Sequence, residues 1–166
     1  QASYGIYSSS TPSPMYNNLI YGGDSGDVSY GVFVINPSDH ILRNNTIDGG
    51  TGGTGGGATN ASYAIYIGSS RSPSFENNIL FTSGGTNRYC LYEFFVTGTR
   101  SLKNNLLFNC PTSLAYMSDS SCNQNHDGDG TATTCNIDDI NGISGASGNI
   151  SSDPQFVDID GADNNV

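Results

Sequence analysis

A sequence pattern that occurs four times restricts the folds that this chain can adopt. Its copies begin at Tyr4, Tyr30, Tyr63 and Tyr89, which lie 26, 33 and 26 residues apart. Each copy also contains two adjacent asparagines, and these pairs lie 27, 33 and 27 residues apart: Asn17 and Asn18, Asn44 and Asn45, Asn77 and Asn78, Asn104 and Asn105. The long interval contains a glycine-rich insertion at 49–59. Such a period is typical of solenoids, in which each repeat needs its neighbours to bury its apolar face.

Each copy contains two short apolar runs, separated by Ser, Pro and Gly, that are too short for ordinary helices and favour strands. Alternation is visible when the copies are aligned. One column contains only apolar residues, namely Met15, Leu42, Phe75 and Leu102, and the next contains Tyr16, Arg43, Glu76 and Lys103. Because the mixed column must face water, the apolar column faces the interior. We therefore predict an all-β fold in which equivalent strands of successive repeats stack.

The paired asparagines suggest a specific structure at one corner of each repeat. A corner residue often adopts left-handed backbone, which Asn tolerates, and a column of stacked amides can hydrogen-bond from one repeat to the next. We predict that one asparagine of each pair forms such a ladder. The alternative is that the pairs only mark turns, where Asn is common.

The motif resembles the repeat of pectate-lyase-like proteins of secreted or surface bacterial type. It consists of a Gly-Ile strand followed by an apolar residue, any residue, Asn-Asn, any residue and a second apolar residue. The resemblance extends from Tyr4 to about Cys110. It implies a single right-handed parallel β-helix of about five to six coils. Regular coils are predicted at 1–117, with the opening strand of a fifth coil at 114–117. Residues 118–166 are predicted to continue the same domain in a degenerate form, with strands at 137–143 and 150–157.

Four cysteines, Cys90, Cys110, Cys122 and Cys135, fit no CxxC metal-binding motif. Their even number favours disulfides in an oxidising compartment, and hence a secreted or cell-surface protein. Three connectivities exist, and we favour the pairs nearest in sequence, Cys90 with Cys110 and Cys122 with Cys135. Four buried free thiols are the alternative.

Charge excludes some partners. The formal net charge is −10 and only 5 residues are Lys or Arg, whereas nucleic acids and anionic membranes attract clustered basic residues. No run approaches the length of an apolar membrane span. The chain begins with Gln rather than Met, so we expect a processed chain or an excised piece.

Two acidic clusters are candidate calcium ligands, since Asp alternating with Gly lets several oxygens converge on a hard cation. They are Asp127 with Asp129, and Asp158 with Asp160 and Asp163. Neither completes a full calcium-binding loop, and solvated acidic turns are the alternative. We predict no other cofactor.

Polysaccharide cleavage is the activity that the resemblance first suggests. A lyase needs an acidic calcium site beside a basic residue, and a hydrolase needs paired carboxylates. Outward positions of the repeats show no such set, because Glu76 and Asp48 are each the only acid of their column and Glu93 lies beside aromatic residues. We therefore predict no catalytic residues.

Aromatic residues share another column, namely Tyr7, Phe33, Tyr66 and Tyr92. If these rings face outward, they form a platform for sugar rings or a contact for another subunit. The alternative is a satellite core beneath long loops.

Three sequons for N-glycosylation occur, at Asn44, Asn60 and Asn149. We expect Asn44 to be a poor acceptor because it belongs to the predicted ladder. Asn60, beside the glycine-rich insertion, is expected to be the accessible one.

The function predicted from these observations is that of a non-catalytic extracellular structural protein. It is either a subunit that stacks head to tail into a fibre or a segment of a longer surface protein, because no polar cap precedes the first coil. The alternative is a module that binds or cleaves polysaccharide.

Overall fold

Each repeat of the sequence contributes one short strand to each of three parallel sheets. The structure is a computed structural model, and it describes residues 1–9, 14–35, 39–53, 60–69, 72–94, 98–117, 122 and 135–156. Sheet A contains β1 (Ala2–Ser8), β4 (Val28–Ile35), β7 (Ala61–Ser69), β10 (Asn87–Glu93) and β13 (Ser113–Met117). Sheet B contains β2 (Met15–Tyr16), β5 (Ile41–Arg43), β8 (Ser74–Glu76), β11 (Ser101–Lys103) and β14 (Ala146–Ser147). Sheet C contains β3 (Leu19–Tyr21), β6 (Thr46–Asp48), β9 (Ile79–Phe81) and β12 (Leu106–Phe108).

The strands of every sheet follow one another in the order of the repeats. Equivalent residues of successive repeats lie opposite each other, so Tyr30 is in register with Tyr4 on one side and with Tyr63 on the other. We number the repeats by their strands: β1–β3 form the first repeat, β4–β6 the second, β7–β9 the third and β10–β12 the fourth. The predicted all-β class with parallel sheets is confirmed.

One apolar core lies between the three sheets. Every repeat adds a layer to it, as Ile65 of sheet A, Phe75 of sheet B and Leu80 of sheet C do in the third repeat. The predicted alternation is correct, since Met15 and its equivalents are buried while Tyr16 and its equivalents are exposed or half-buried. The core therefore consists of the aliphatic columns that the repeat alignment singled out.

The fifth repeat is shortened, and a helix takes the place of part of it. Strand β13 begins it as predicted, β14 continues it in sheet B, and Ile150 forms a single parallel bridge with Leu106 of sheet C. The prediction of a strand at 137–143 is wrong, because Ile137–Asn141 is a helix, α1. Beyond the bridge at Ile150, residues 151–156 form no strand. Phe156 lies beside sheet C, with its ring centroid 5.3 Å from that of Phe81 in β9.

Helix α1 begins with a capping box formed by Asn136 and Asp139. The side chain of Asn136 accepts hydrogen bonds from the backbone N–H groups of Asp138 and Asp139, and the Asp139 carboxylate accepts one from the N–H of Asn136. This capping box satisfies N–H groups that have no partner within a helix. The helix is only five residues long, so its stability comes from the core residue that it buries, Ile140.

Two disulfides are present, and they are the pairs favoured from the sequence. Cys90 of β10 is bonded to Cys110, which follows β12, so this bond joins sheet A to the end of sheet C in the fourth repeat. Cys122 is bonded to Cys135, immediately before α1. Both bonds tie segments near the fifth repeat, where the strand pairing is least complete.

Candidate functional site

A continuous chain of amides runs through the corner between sheets B and C. We call it the asparagine ladder, and its rungs are Asn18, Asn45, Asn78, Asn105 and Asn149. The Nδ2 of each of the first four rungs donates to the Oδ1 of the next at 2.9 to 3.0 Å. The same Oδ1 accepts the backbone N–H of the preceding rung at 3.0 Å. From the second rung onward, Nδ2 also donates to a backbone carbonyl of the repeat before it, at 2.8 to 2.9 Å. The rungs after Asn18 are buried and fully hydrogen-bonded, as buried amides must be.

The two asparagines of each pair have different roles. The first is exposed and left-handed, with φ between 54° and 58° in Asn17, Asn44, Asn77 and Asn104. The second points inward and forms the rung. The ladder therefore depends on the first residue to turn the chain, because few other side chains tolerate this backbone region.

Asn149 is a rung that the sequence pattern did not reveal, since no asparagine precedes it. Gly148 occupies the turning position instead, with φ 67°, which glycine adopts at no steric cost. The signal was present, because Gly148, Asn149 and Ile150 follow the register of Asn104, Asn105 and Leu106.

The structure changes which of the three N-glycosylation sequons has an accessible asparagine. Asn60 was expected to be accessible, but its side chain is buried. Asn149 is also buried, and its amide donates to Leu102 and to Asn141. Asn44 is exposed and is the turning residue rather than a rung. Of the three acceptors, only Asn44 has an exposed side chain.

The outer face of sheet A carries two columns of stacked rings, which we call the aromatic double column. The first column was recognised only as a period marker, and the second contains the four predicted rings and one more. The columns are Tyr4, Tyr30, Tyr63 and Tyr89, and Tyr7, Phe33, Tyr66, Tyr92 and Tyr116. Neighbouring rings within the columns are nearly parallel, with centroids 4.5 to 5.5 Å apart. Between the columns the rings meet edge to face at 4.7 to 5.5 Å.

Stacking along the column determines what these rings offer to a ligand. A sugar binds an aromatic residue through the face of the ring. Both faces of Tyr30, Phe33, Tyr63 and Tyr66 are covered by the rings of the neighbouring repeats. At the ends of the two columns, Tyr4, Tyr7, Tyr89 and Tyr116 each have one face that no ring of the columns covers. The aromatic double column therefore mainly packs one repeat against the next, with Tyr92 and Tyr116 buried and Tyr4 and Tyr7 exposed.

Burial raises the pKa of several phenols of the double column. It raises the pKa of Tyr30 to about 12, with a smaller contribution from the neighbouring Tyr4 and Tyr66 phenols. The pKa values of Tyr63 and Tyr92 are raised further, again chiefly by burial. A buried phenol resists ionisation because the phenolate loses its hydration. The hydroxyls of Tyr30, Tyr63 and Tyr92 therefore stay protonated well above neutral pH.

Glu93 is completely buried and forms an ion pair with Arg100, whose Nε lies 2.8 Å from Oε2. Sequence reasoning placed Glu93 on the outside and did not pair it with Arg100. A buried pair of this kind costs desolvation but is strongly destabilised if one partner is removed. Its burial makes it a structural pair rather than a group that a large substrate reaches.

The outward carboxylates Glu76 and Asp48 also bind neighbouring repeats. Glu76 forms an ion pair with Arg43 of the second repeat at 3.1 Å and accepts a hydrogen bond from Ser101 of the fourth. Asp48 accepts hydrogen bonds from the backbone N–H groups of Gly50 and Ser83 at 2.8 and 3.0 Å, and from the Ser83 hydroxyl. Both carboxylates thus connect successive repeats.

The candidate calcium ligands Asp127, Asp129, Asp158, Asp160 and Asp163 lie outside the described residues. Within the described ranges, no three His, Cys, Asp or Glu side chains are grouped closely enough to hold a metal ion. The calcium prediction therefore stays a prediction.

The asparagine ladder ends differently at the first repeat and at the fifth repeat. At the fifth repeat, the Oδ1 of Asn141 accepts both the Nδ2–H and the backbone N–H of Asn149, at 2.9 and 3.0 Å. Asn141 belongs to α1, and Ile140 beside it fills the end of the core. At the first repeat, Asn18 is exposed, and its Oδ1 accepts no hydrogen bond from the residues that the structure describes. One end of the ladder is thus closed and the other is open.

Among the described residues, no helix has the length and apolarity needed to cross a membrane. No family model matches the chain, and no curated protein or solved structure matches it either. The pectate-lyase-like resemblance therefore remains a proposal that depends on the repeat itself.

Proposed function

We propose that the chain is a right-handed parallel β-helix that serves as a non-catalytic structural module of a secreted or cell-surface protein. The fold part is supported by the fixed order in which the chain visits sheets A, B and C around one core. Parallel strands of one sheet that are joined by crossovers almost always follow a right-handed path. A left-handed Asn followed by an inward ladder Asn also supports the resemblance to pectate-lyase-like repeats.

The observation that supports a structural role most strongly is that outward side chains bind the neighbouring repeat. Ring faces of the aromatic double column are covered by other rings. Glu76 and Asp48, the acids of the regular outward columns, hold groups of adjacent repeats. The ring faces that would bind a sugar, and the carboxylates that would transfer a proton, therefore already contact the neighbouring repeats.

Secretion is proposed on the two disulfides, which persist in oxidising compartments. Of the two structural roles, we favour a segment of a longer surface protein over a fibre in which the first coil of one copy contacts the last coil of the next. The ladder at the last repeat is closed by Asn141, so it offers no unpaired rung to the Asn18 end of another copy.

The test is incubation of the intact chain with a panel of neutral and uronic-acid polysaccharides, with and without calcium. We expect neither reducing ends nor unsaturated products, and no binding by calorimetry. Asp48→Asn and Glu76→Gln serve as matched variants, because each changes one outward carboxylate without changing its size.

Turnover in the parent chain that disappears in one of these variants would establish an enzyme and contradict the proposal. Calorimetric binding of a glycan without turnover would instead establish the binding module. Loss of that binding in Tyr4→Ala would place the glycan on the uncovered ring face at the first repeat.

A further inference from the structure

The sequence contains one Asn-Gly pair, Asn141 and Gly142. The backbone nitrogen that follows an asparagine can attack the side-chain amide carbon, and a glycine in that position obstructs the attack least because it has no Cβ. The pair lies at the C-terminal end of α1, where Asn141 is half-buried and Gly142 is exposed. The two groups that would react therefore lie at the surface, next to solvent.

The side chain of Asn141 also closes the asparagine ladder. Its Oδ1 accepts the Nδ2–H and the backbone N–H of Asn149, at 2.9 and 3.0 Å. Its Nδ2 donates to the backbone carbonyl of Asn149 at 2.9 Å. Three hydrogen bonds thus connect this one amide to the last rung, so a chemical change at Asn141 acts directly on the ladder.

The fold holds the reacting groups away from each other. The Gly142 N–H donates to the Asp138 carbonyl at 2.9 Å, and the Asn141 amide is fixed by its three hydrogen bonds. Attack requires the Gly142 nitrogen to leave its acceptor and the Asn141 side chain to leave the ladder. A helix of five residues has little stability of its own, and such segments open locally more often than core strands do. Reaction is therefore confined to conformations in which the end of α1 has opened.

We propose that Asn141 is a site of spontaneous deamidation and that the opening of α1 controls its rate. The Gly142 nitrogen loses its proton to hydroxide and forms a bond to Cγ of Asn141. The bond from Cγ to Nδ2 breaks, and Nδ2 takes up a proton from water and leaves as ammonia. Water then adds to one of the two carbonyl carbons of the cyclic imide and opens it, which gives aspartate or isoaspartate. Water is the only reactant besides the chain itself.

Both products weaken the closed end of the ladder. Aspartate keeps an acceptor for Asn149, but it places a carboxylate oxygen where Nδ2 donated to the Asn149 carbonyl, so two acceptors face each other. Isoaspartate lengthens the main chain by one methylene group after Ile140 and moves the former side-chain carbonyl into the backbone. Each product also adds a negative charge to a chain whose formal net charge is −10. This inference goes beyond the proposed function and does not require it, because the reaction needs only water.

The test incubates the intact chain in buffer and in urea, at one temperature and one mildly alkaline pH. Peptide mapping by mass spectrometry follows the conversion of Asn141 through the mass difference between an amide and an acid. In urea we expect Asn141 to convert before every other asparagine, because it alone precedes glycine. In buffer we expect its conversion to be roughly tenfold slower or more, since reaction from an open state is proportional to the population of that state.

Gly142→Ala is the matched control for the chemical step. Gly142 has right-handed backbone with φ −76°, and a Cβ there would lie 3.4 Å from the carbonyl oxygens of Asp138 and Asp139. Alanine therefore fits without strain. Because its Cβ obstructs the approach of the nitrogen, it should slow the conversion of Asn141 in urea roughly tenfold or more.

Asn141→Asp reproduces the aspartate product and tests the effect on the ladder. We expect the backbone amide of Asn149, which donates to residue 141, to exchange with solvent roughly tenfold faster in this variant. The amide of Asn45, which donates to Asn78 in the regular part of the ladder, should be unaffected. Amide exchange measured by nuclear magnetic resonance reports both residues in one experiment.

Four outcomes would overturn the inference. They are an Asn141 that persists in urea while other asparagines convert, equal rates in buffer and in urea, a Gly142→Ala variant that converts as fast as the parent, and unchanged exchange at Asn149 in Asn141→Asp. Circular dichroism confirms that both variants are folded. The comparison of buffer with urea needs no variant at all.

Discussion

At the scale of single residues, the two asparagines of each pair show how a short motif combines two physical requirements. One residue has to adopt a left-handed backbone and the next has to fill a buried polar position. The sequence predicted that one member of the pair forms a ladder, because the pair recurs in phase with the aliphatic columns. The sequence did not show which member forms the ladder, because both are asparagines. Asn77 and Asn78 differ only in backbone conformation and burial.

Replacing the rung residue Asn78 by Ala should lower the free energy of unfolding by about 3 kcal/mol or more. Its side chain takes part in four hydrogen bonds, with Asn45, Asn105 and the Leu42 carbonyl, and its removal leaves buried groups of both neighbouring rungs without partners. Denaturant unfolding measures the effect.

The matched control for Asn78→Ala is Asn77→Gly, which retains the left-handed turn and should change stability by less than about 1 kcal/mol. Equal losses in the two variants would contradict the assignment of Asn78 as the rung.

At the scale of elements, the strands of the repeats were predicted correctly and helix α1 was not. Strands follow from columns that repeat four times, so each element was supported by three independent copies. The segment after Cys135 has no copy, and its isoleucines were therefore interpreted as a continued strand. The local signals for a helix were nevertheless present: Asn136 and Asp139 have the spacing of a capping box, and Ile137 and Ile140 have the spacing of one helical face.

Helix α1 should contribute to stability mainly through Ile140. Ile140→Ala should lower the free energy of unfolding by about 2 to 4 kcal/mol, because it leaves a cavity at the end of the core. Asp138→Asn, on the exposed side of the same helix, should cost less than about 1 kcal/mol. Both values come from denaturant unfolding at constant pH, and equal costs would show that α1 does not close the core.

At the scale of the whole molecule, the same repeats determine how stability depends on pH. The aromatic double column buries several phenols, and burial raises the pKa of Tyr30 from 10.0 to about 12. A folded-state pKa above the unfolded value means that the folded chain retains a proton that the unfolded chain releases. The contribution of the protonated Tyr30 phenol to the free energy of unfolding is therefore fully present below pH 10 and is lost as the pH rises toward about 12.

Alkaline titration should show this loss directly. We expect the free energy of unfolding to decrease as the pH rises above 10, and tyrosinate absorbance of the column phenols to develop together with loss of structure. Tyr30→Phe removes one of these protons, so its stability should decrease less steeply over the same interval. A free energy of unfolding that stays constant up to pH 12 in the parent chain would contradict the burial of these phenols.

The hydrogen bonds of the asparagine ladder also determine the order in which its rungs can be satisfied during synthesis. Each rung from Asn18 to Asn105 donates its Nδ2–H to an oxygen that lies later in the chain. During synthesis, a repeat that has just left the ribosome therefore has to wait for the next repeat before its amide is satisfied. Asn149 is the exception, because its acceptor Asn141 precedes it. The growing chain thus completes its own ladder at Asn149, without help from any residue made afterwards.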